Sequence, residues 1–255
     1  MYEKRIPLEG TEQLTLVEMA GNLAIEAWDQ PELLIRLHDG REQDLSVEQT
    51  EAGPAVSARV SCAIQVPGSL PVVVRQAMGN LKVDGLADLN AEQVRGNLKL
   101  TGVDKAVLAE VYGNLKAEAA TSLRVVGTIY GDARLEAIQT ADLQNVRGNL
   151  HAKASGRLRA SRIGGNLLAK ALEGTLDIDR VGGNALLKSM AGSVNLDQVA
   201  GNLVAKDLGG GAQVARIGGN LVLNGDLSQG YSYHFQADGN ATLRLPEGTN
   251  AHVTV

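Results

Sequence analysis

Aromatic residues make up only 3% of this 255-residue chain, and one of its seven rings is the sole tryptophan, Trp28. A core filled by bulky rings is excluded. The buried residues must be Leu, Val, Ile and Ala, which dominate the 44% hydrophobic content. The single cysteine, Cys62, excludes a disulfide within the chain and any multi-cysteine zinc or iron–sulfur site. No apolar run approaches the roughly 18 residues of a membrane-spanning helix. The opening MYEKRIPLEG lacks the apolar stretch of a secretory signal, so a cytoplasmic location is expected. Basic residues number 24 against 29 acidic, a net charge of −5, and such a balance does not suit a nucleic-acid partner. Proline is scarce, at 6, whereas glycine, at 30, exceeds its usual share of about 7%.

The glycines are periodic. Gly-Asn occurs ten times, starting at Gly21, Gly79, Gly96, Gly113, Gly148, Gly165, Gly183, Gly201, Gly219 and Gly239, and Gly131-Asp132 fills the one gap. From Gly79 the spacings are 17, 17, 18, 17, 17, 18, 18, 18 and 20. Such a unit is too short for two packed helices, and its interior alternates with a period of two. In GNLKLTGVDKAVLAEVY, counted from Gly96, apolar residues stand at positions 3, 5, 8, 11, 13 and 16: Leu98, Leu100, Val103, Ala106, Leu108 and Val111. Over the eight units from Gly79 to Gly201 these columns are apolar at 47 of 48 places, Ser155 being the exception.

One such turn cannot bury its own apolar face, but stacked turns can. The expected fold is all-β: a parallel β-helix, or β-solenoid, of about ten coils spaced about 4.8 Å apart, right-handed by the usual rule for parallel crossovers. Three alternating stretches per unit suggest three short sides. Leu and Ala trade places within several columns, so large and small side chains can share a narrow interior. The Gly-Asn pair is expected at a corner, with Gly supplying positive φ and the asparagines stacking into an amide ladder that Asp132 interrupts.

One all-β domain is expected, in which 1–78 form an irregular β capping region continuous with the parallel β-helix repeats of 79–255. The first region reads as strands Gln13–Met19, Leu23–Ala27, Leu33–Leu37, Leu45–Gln49, Ala55–Val60, Ala63–Val66 and Pro71–Val74. Its Gly21-Asn22-Leu23 repeats the later corners, which suggests one or two irregular coils that cover the open edge of the first regular rung. Trp28 reads as part of that cap. At the other end the unit from Gly219 carries an insertion and the cluster Tyr231, Tyr233 and Phe235, as expected of an atypical terminal repeat. The last unit alternates again through Ala251, Val253 and Val255.

The outward column at position 4 changes character partway along. It runs Lys82, Lys99, Lys116, Arg134, His151, then Leu168, Leu186, Val204 and Val222. Position 6 beside it runs Asp84, Thr101, Glu118, Glu136, then Lys153, Lys170, Lys188 and Lys206. The four apolar residues form a stripe roughly 15 Å long, and lysine stems can widen it while their charges stay wet. An apolar stripe with a polar rim is the pattern of a protein contact.

Catalytic chemistry finds little support. The histidines, His38, His151, His234 and His252, form no pair at metal-ligand spacing, and His234 with His252 is the only combination near one chain end. Cys62 sits in the alternating SCAIQV and reads as core. No GxSxG, GxGxxG or P-loop pattern occurs. No cofactor and no metal are expected.

LTLVEMAGNLAIEAW, the proline break in IQVPGSLPVVV, and the following MGNLKVDGL, RGNLKL and YGNLKAE together resemble the bacterial putative-adhesin domain family. The resemblance spans essentially the whole chain and implies an irregular N-terminal β-region followed by glycine-cornered coils. Asn replaces the Asp that frequently follows the corner glycine in that family. A more distant resemblance is to the bactofilins, whose coils stack end to end into filaments. The functional expectation is a non-enzymatic scaffold or self-association module with Leu168, Leu186, Val204 and Val222 as its contact, partnered by itself or another protein. The alternatives are an end-to-end filament former and, third, a β-helical carbohydrate-active enzyme.

Overall fold

The computed structural model describes residues 2–247. The chain divides into two compact units, Met1–Arg134 with Ile138–Thr140, and Leu135–Ala137 with Ala141–Val255. Both are built from the same coil, and the fold is an all-β parallel solenoid of about ten coils with an irregular N-terminal cap.

Each regular coil gives one strand to each of two parallel sheets. In the first unit the strands Leu81–Asp84, Leu98–Thr101 and Leu115–Glu118 stack in one sheet, and Asp88–Val94, Lys105–Val111 and Ser122–Ile129 stack in the other. In the second unit the corresponding series are Leu150–Lys153, Leu167–Lys170, Ala185–Met190, Leu203–Leu208, Leu221–Leu227 and Ala241–Arg244, and Arg157–Ile163, Leu176–Val181, Val194–Val199, Ala212–Ile217 and Tyr233–Ala237. The expected second and third sides are thus one bent strand. Leu89, Ala91 and Val94 point inward at a spacing of two and then three, and the ladder to the next coil steps from Ala91↔Leu108 to Gln93↔Glu110, passing over Glu92.

All 48 residues of the six inward columns are buried, none more than 5% exposed. Ser155 is buried too, and its hydroxyl is satisfied by donating to the Lys153 carbonyl at 3.2 Å. At the Gly-Asn corner each asparagine Oδ1 accepts the backbone N–H of the asparagine in the next coil. Asn97 N lies 2.8 Å from Asn80 Oδ1 and Asn114 N lies 2.9 Å from Asn97 Oδ1. The side-chain amides continue the ladder at 3.1 Å in both steps. Asp132 donates its backbone N–H to Asn114 Oδ1, and in the second unit the ladder runs from Asn149 to Asn240.

The corner glycines are required for space and not for positive φ, which corrects the expectation. A Cβ on Gly96 would stand 2.6 Å from the backbone of Gly79, so only glycine lets the coils close there. The left-handed residues recur at position 7: Gly85, Gly102 and Ala119 in the first unit and Ala137, Ala154 and Ala171 in the second lie just past the first strand of the coil, and Ser189, Asp207 and Gly225 bend that strand from within. Six of these nine are not glycine, and nothing about Ala or Ser marks such a turn in sequence.

The N-terminal strands are β1 (Tyr2–Pro7), β2 (Leu14–Met19), β3 (Leu23–Trp28), β4 (Glu32–Leu37), β5 (Leu45–Thr50), β6 (Gly53–Ala58), β7 (Cys62–Pro67) and β8 (Val72–Ala77). They match the seven strands expected and add β1. Two irregular coils lie here. β2 and β3 form one around Gly21-Asn22, and β6 and β7 form another around Ser61, whose Oγ accepts the Asn22 N–H at 3.0 Å as an asparagine does elsewhere. The spatial order departs from the chain order: β2 lies between β6 and β8, and β3 lies between β7 and Leu81–Asp84.

Antiparallel strands close this end. β4 pairs with β7, β1 with β4, and β5 with β6. Leu33, Leu34, Ile35 and Leu37 of β4 are buried. The edge strand β1 carries Glu3, Lys4 and Arg5. Arg5 bridges to Glu32 at 2.6 Å, and Arg36 donates to Glu3, holding its carboxyl below the ordinary range. Charged edges of this kind resist pairing with another chain. Trp28 is half-buried, and its indole N–H bonds to the Glu32 carbonyl at 2.9 Å, closing the β3–β4 turn.

At the other end Tyr233 and Phe235 take the inward places of Ala212 and Val214 in the next strand. The Tyr233 hydroxyl donates to the Leu208 carbonyl at 2.9 Å and accepts the Ser228 N–H at 3.0 Å. Rings fit this narrow interior only where the regular columns stop. Ala251, Val253 and Val255 lie outside the described residues.

Candidate functional site

The four residues singled out on the outer face are brought into one ladder in the second unit. Leu168 pairs with Leu186, Leu186 with Val204, and Val204 with Val222. Each is half-buried, because neighbours in the ladder cover its flanks. His151 precedes the stripe in register and Thr242 follows it, so both ends are polar. Lys153, Lys170, Lys188 and Lys206 form a parallel exposed row, paired residue to residue like the stripe. Lys153 reaches Glu136 at 2.8 Å, whereas Lys170, Lys188 and Lys206 hold no ion pair among the described residues. Alternation fixes this arrangement: with Leu167 and Ala169 turned inward, Leu168 and Lys170 must turn outward.

The first unit has a different feature on the equivalent columns. A shallow cleft of about 550 Å³ runs along the coils, lined by the asparagines of the corner ladder and by Lys82, Lys99 and Lys116, with His38 and Ser61 towards the cap. The three lysines are register partners. Lys116 pairs with Glu118 at 2.6 Å, and Lys82 and Lys99 hold no ion pair among the described residues. Thr101 stands between Asp84 and Glu118 in the neighbouring column, so the middle coil lacks the carboxylate that its neighbours carry.

Tyr112 and Tyr130 form a pair that the column reading missed. Their rings stack with centroids 4.7 Å apart and planes 5° from parallel, and the Arg95 guanidinium lies 5.6 Å from the Tyr112 centroid. Both tyrosines and Arg95 occupy the place just before the corner glycine. The signal was available as one more column of the repeat.

The remaining candidates assemble no reactive centre. Cys62 is buried, takes an inward place opposite Leu23, and burial pushes its thiol up to about 12, far from the thiolate a nucleophile needs. His234 is exposed, and His252 lies outside the described residues. Among the described residues no group of three or more His, Cys, Asp or Glu side chains is placed to hold a metal ion. Among them also, no helix is long and apolar enough to cross a membrane.

No family model and no curated protein matches the chain. Solved structures do show likeness. One is a putative adhesin from Parabacteroides distasonis, at 12% identity over 96% of both chains with a TM-score of 0.42. Another is a putative adhesin from Bacteroides fragilis, at 13% identity over 96% of both chains with a TM-score of 0.36. A third is a putative cell adhesion protein from Clostridium sporogenes, at 10% identity over 96% of this chain and 99% of that one, with a TM-score of 0.26. At this identity no functional residue transfers, and the solenoid assignment rests on the chain's own strand register.

Proposed function

We propose that this protein is a non-catalytic scaffold whose second unit self-associates through the stripe Leu168, Leu186, Val204 and Val222. The observation that carries the reading is the register: four aliphatic side chains stand in one outward ladder, bounded by polar residues at both ends and flanked by a lysine row. Burying such a ladder removes apolar area from water at about 25 cal/mol per Å², while the lysine stems extend the contact and their ammonium groups stay wet. A two-fold axis along the stripe sets the lysine row of one copy over the asparagine row of the other. An axis across the stripe would set lysine over lysine, so the copies associate with their coils running in the same direction.

The test is light scattering on size-separated protein, with the same fractions viewed by negative stain. Wild type forms a discrete oligomer, and Leu186→Glu and Val204→Asp each shift it to monomer with an unchanged far-UV signal. An unchanged assembly mass in both variants, or a wild type that is monomeric at tens of micromolar, would overturn the reading. Filaments would favour end-to-end stacking instead. The antiparallel cap with its charged edge strand β1 weighs against that mode at the N-terminal end.

A further inference from the structure

We infer that the cleft of the first unit binds an extended acidic polysaccharide, one bearing a carboxylate or sulfate on successive sugars. This inference does not depend on self-association of the second unit. Three properties of the cleft carry it.

The first is unspent donor capacity. The ladder uses each asparagine Oδ1 twice, as acceptor of the next backbone N–H and of the next Nδ2–H, but it uses only one of the two hydrogens on Asn97 Nδ2 and on Asn114 Nδ2. The second hydrogens remain for a ligand, in a row with one donor per coil.

The second is charge. Lys82 and Lys99 hold no ion pair among the described residues, and Thr101 leaves the middle coil without a carboxylate. The acidic side chains of this column are Glu26 and Asp84, in register with each other on one side of Thr101, and Glu118 on the other; Glu26 accepts from Gln65 at 3.4 Å and Glu118 is engaged by Lys116. Asp132 replaces asparagine in the following coil and puts a carboxylate at that end of the row. Lys99 is the lysine whose own coil carries no carboxylate in the adjoining column, and the positive stretch is centred there with Lys82 beside it.

The third is period. Donors and ammonium groups recur once per coil, about 4.8 Å apart, a spacing near that of one pyranose ring in an extended 1,4-linked chain. A polymer with one anionic group per sugar can meet each coil in the same way. A nucleic acid would need a row of rings for its bases to stack on, and no Phe, Tyr or Trp side chain lines the cleft. A membrane surface would need exposed apolar side chains beside the lysines, whereas the inward neighbours Leu81 and Leu98 are buried.

Calorimetric titration of the full chain with sodium polygalacturonate and with cellulose sulfate, both 1,4-linked, separates the carboxylate from the sulfate source, and neutral dextran serves as the blank. Binding of at least one acidic polymer and none of dextran is expected. Lys82→Gln/Lys99→Gln weakens it about tenfold or more, as the loss of two charge-assisted contacts implies. Arg75→Gln/Arg124→Gln removes the same charge from exposed positions on the other sheet and leaves binding within about twofold of wild type. Equal losses in the two variants, equal binding of neutral dextran, or tighter binding of single-stranded DNA or anionic vesicles would each overturn the inference. Circular dichroism of both variants confirms that the coil is intact.

Discussion

Gly96 and Gly102 belong to the same coil and are glycine for opposite reasons, so replacing each by alanine separates two kinds of cost. A Cβ on Gly96 would lie 2.6 Å from the Gly79 carbonyl carbon and oxygen and 2.7 Å from Asn80 N, where ordinary contact begins near 3.4 Å. The coils must part by about 0.8 Å at this corner. Three bonds cross it: Gly96 N to Gly79 O at 3.1 Å, Asn97 N to Asn80 Oδ1 at 2.8 Å, and Asn97 Nδ2 to the same oxygen at 3.1 Å. At about 1 kcal/mol net apiece, their weakening puts Gly96→Ala near 3 kcal/mol. Gly102 has φ +59, and the nearest atom to its Cβ position is 3.9 Å away. Gly102→Ala therefore meets only the left-handed backbone cost, about 1–2 kcal/mol, part of it offset by a stiffer unfolded chain. Guanidinium unfolding followed by far-UV circular dichroism supplies the comparison. Midpoints are preferable to extrapolated free energies, since a repeat array need not unfold in one step. Ala119→Gly, at φ 55 one coil on, should hold or raise the midpoint. If Gly102→Ala lowers the midpoint as much as Gly96→Ala, the close-approach account of the corner is refuted.

Three further outcomes follow from named residues. Asn97→Asp keeps the acceptor but places a second oxygen where Nδ2 now faces Asn80 Oδ1 at 3.1 Å; it should cost about 1–2 kcal/mol at neutral pH and recover below about pH 4, where the new carboxyl can donate, as pH-dependent unfolding would show. Cys62 has a folded-state thiol raised from 9.0 to about 12, so its contribution to stability is full below 9.0 and declines as pH rises towards 12; Cys62→Ala should flatten that alkaline decline, and a thiol reagent at pH 8 should label wild type only on unfolding, with fast native labelling contradicting its burial. Leu100→Ala, on a fully buried inward position, should cost about 3 kcal/mol while its outward neighbour Lys99→Ala changes stability by less than about 0.5 kcal/mol, measurable by the same unfolding assay.

Much of the fold was legible because one constraint acts at every coil. The narrow interior admits only aliphatic side chains, and so Leu81, Leu98 and Leu115 recur in phase and can be read without any partner. The Asn ladder was legible for the same reason, since stacking repeats a polar contact wherever it repeats a residue. Features that depend on pairing across a single place were not. β1 has one buried residue, Ile6, and becomes a strand only through its antiparallel partner β4. The coil of β6 and β7 was hidden because Ser61 does the work of asparagine with a different side chain. The left-handed turn was misplaced because Ala154 and Ala171 tolerate it without a sequence mark, held by the strands on either side. At the surface, the stripe and the lysine rows follow from strand alternation. The cleft depends on which carboxylates neighbour which lysines, and only the register between coils decides that.

The order of the N-terminal strands has a consequence for how the chain can be cut. The coil of β2 and β3 comes first in sequence but is bonded on both sides: Asn22 accepts from Cys62 N, and Leu23 donates to Asn80 O. Its chain neighbour along one face arrives only after the excursion through residues 29–61 has built β4, β5 and β6 and returned. Removing residues 1–28 would therefore excise an interior rung and leave two unmatched faces, whereas removing a coil from the other end shortens the stack by one. Truncation from the two termini should thus be unequal, graded from the C-terminal side and all-or-none from the N-terminal side. Synthesis reverses the usual advantage of a repeat: the first rung made must wait for later strands on both sides before it is complete.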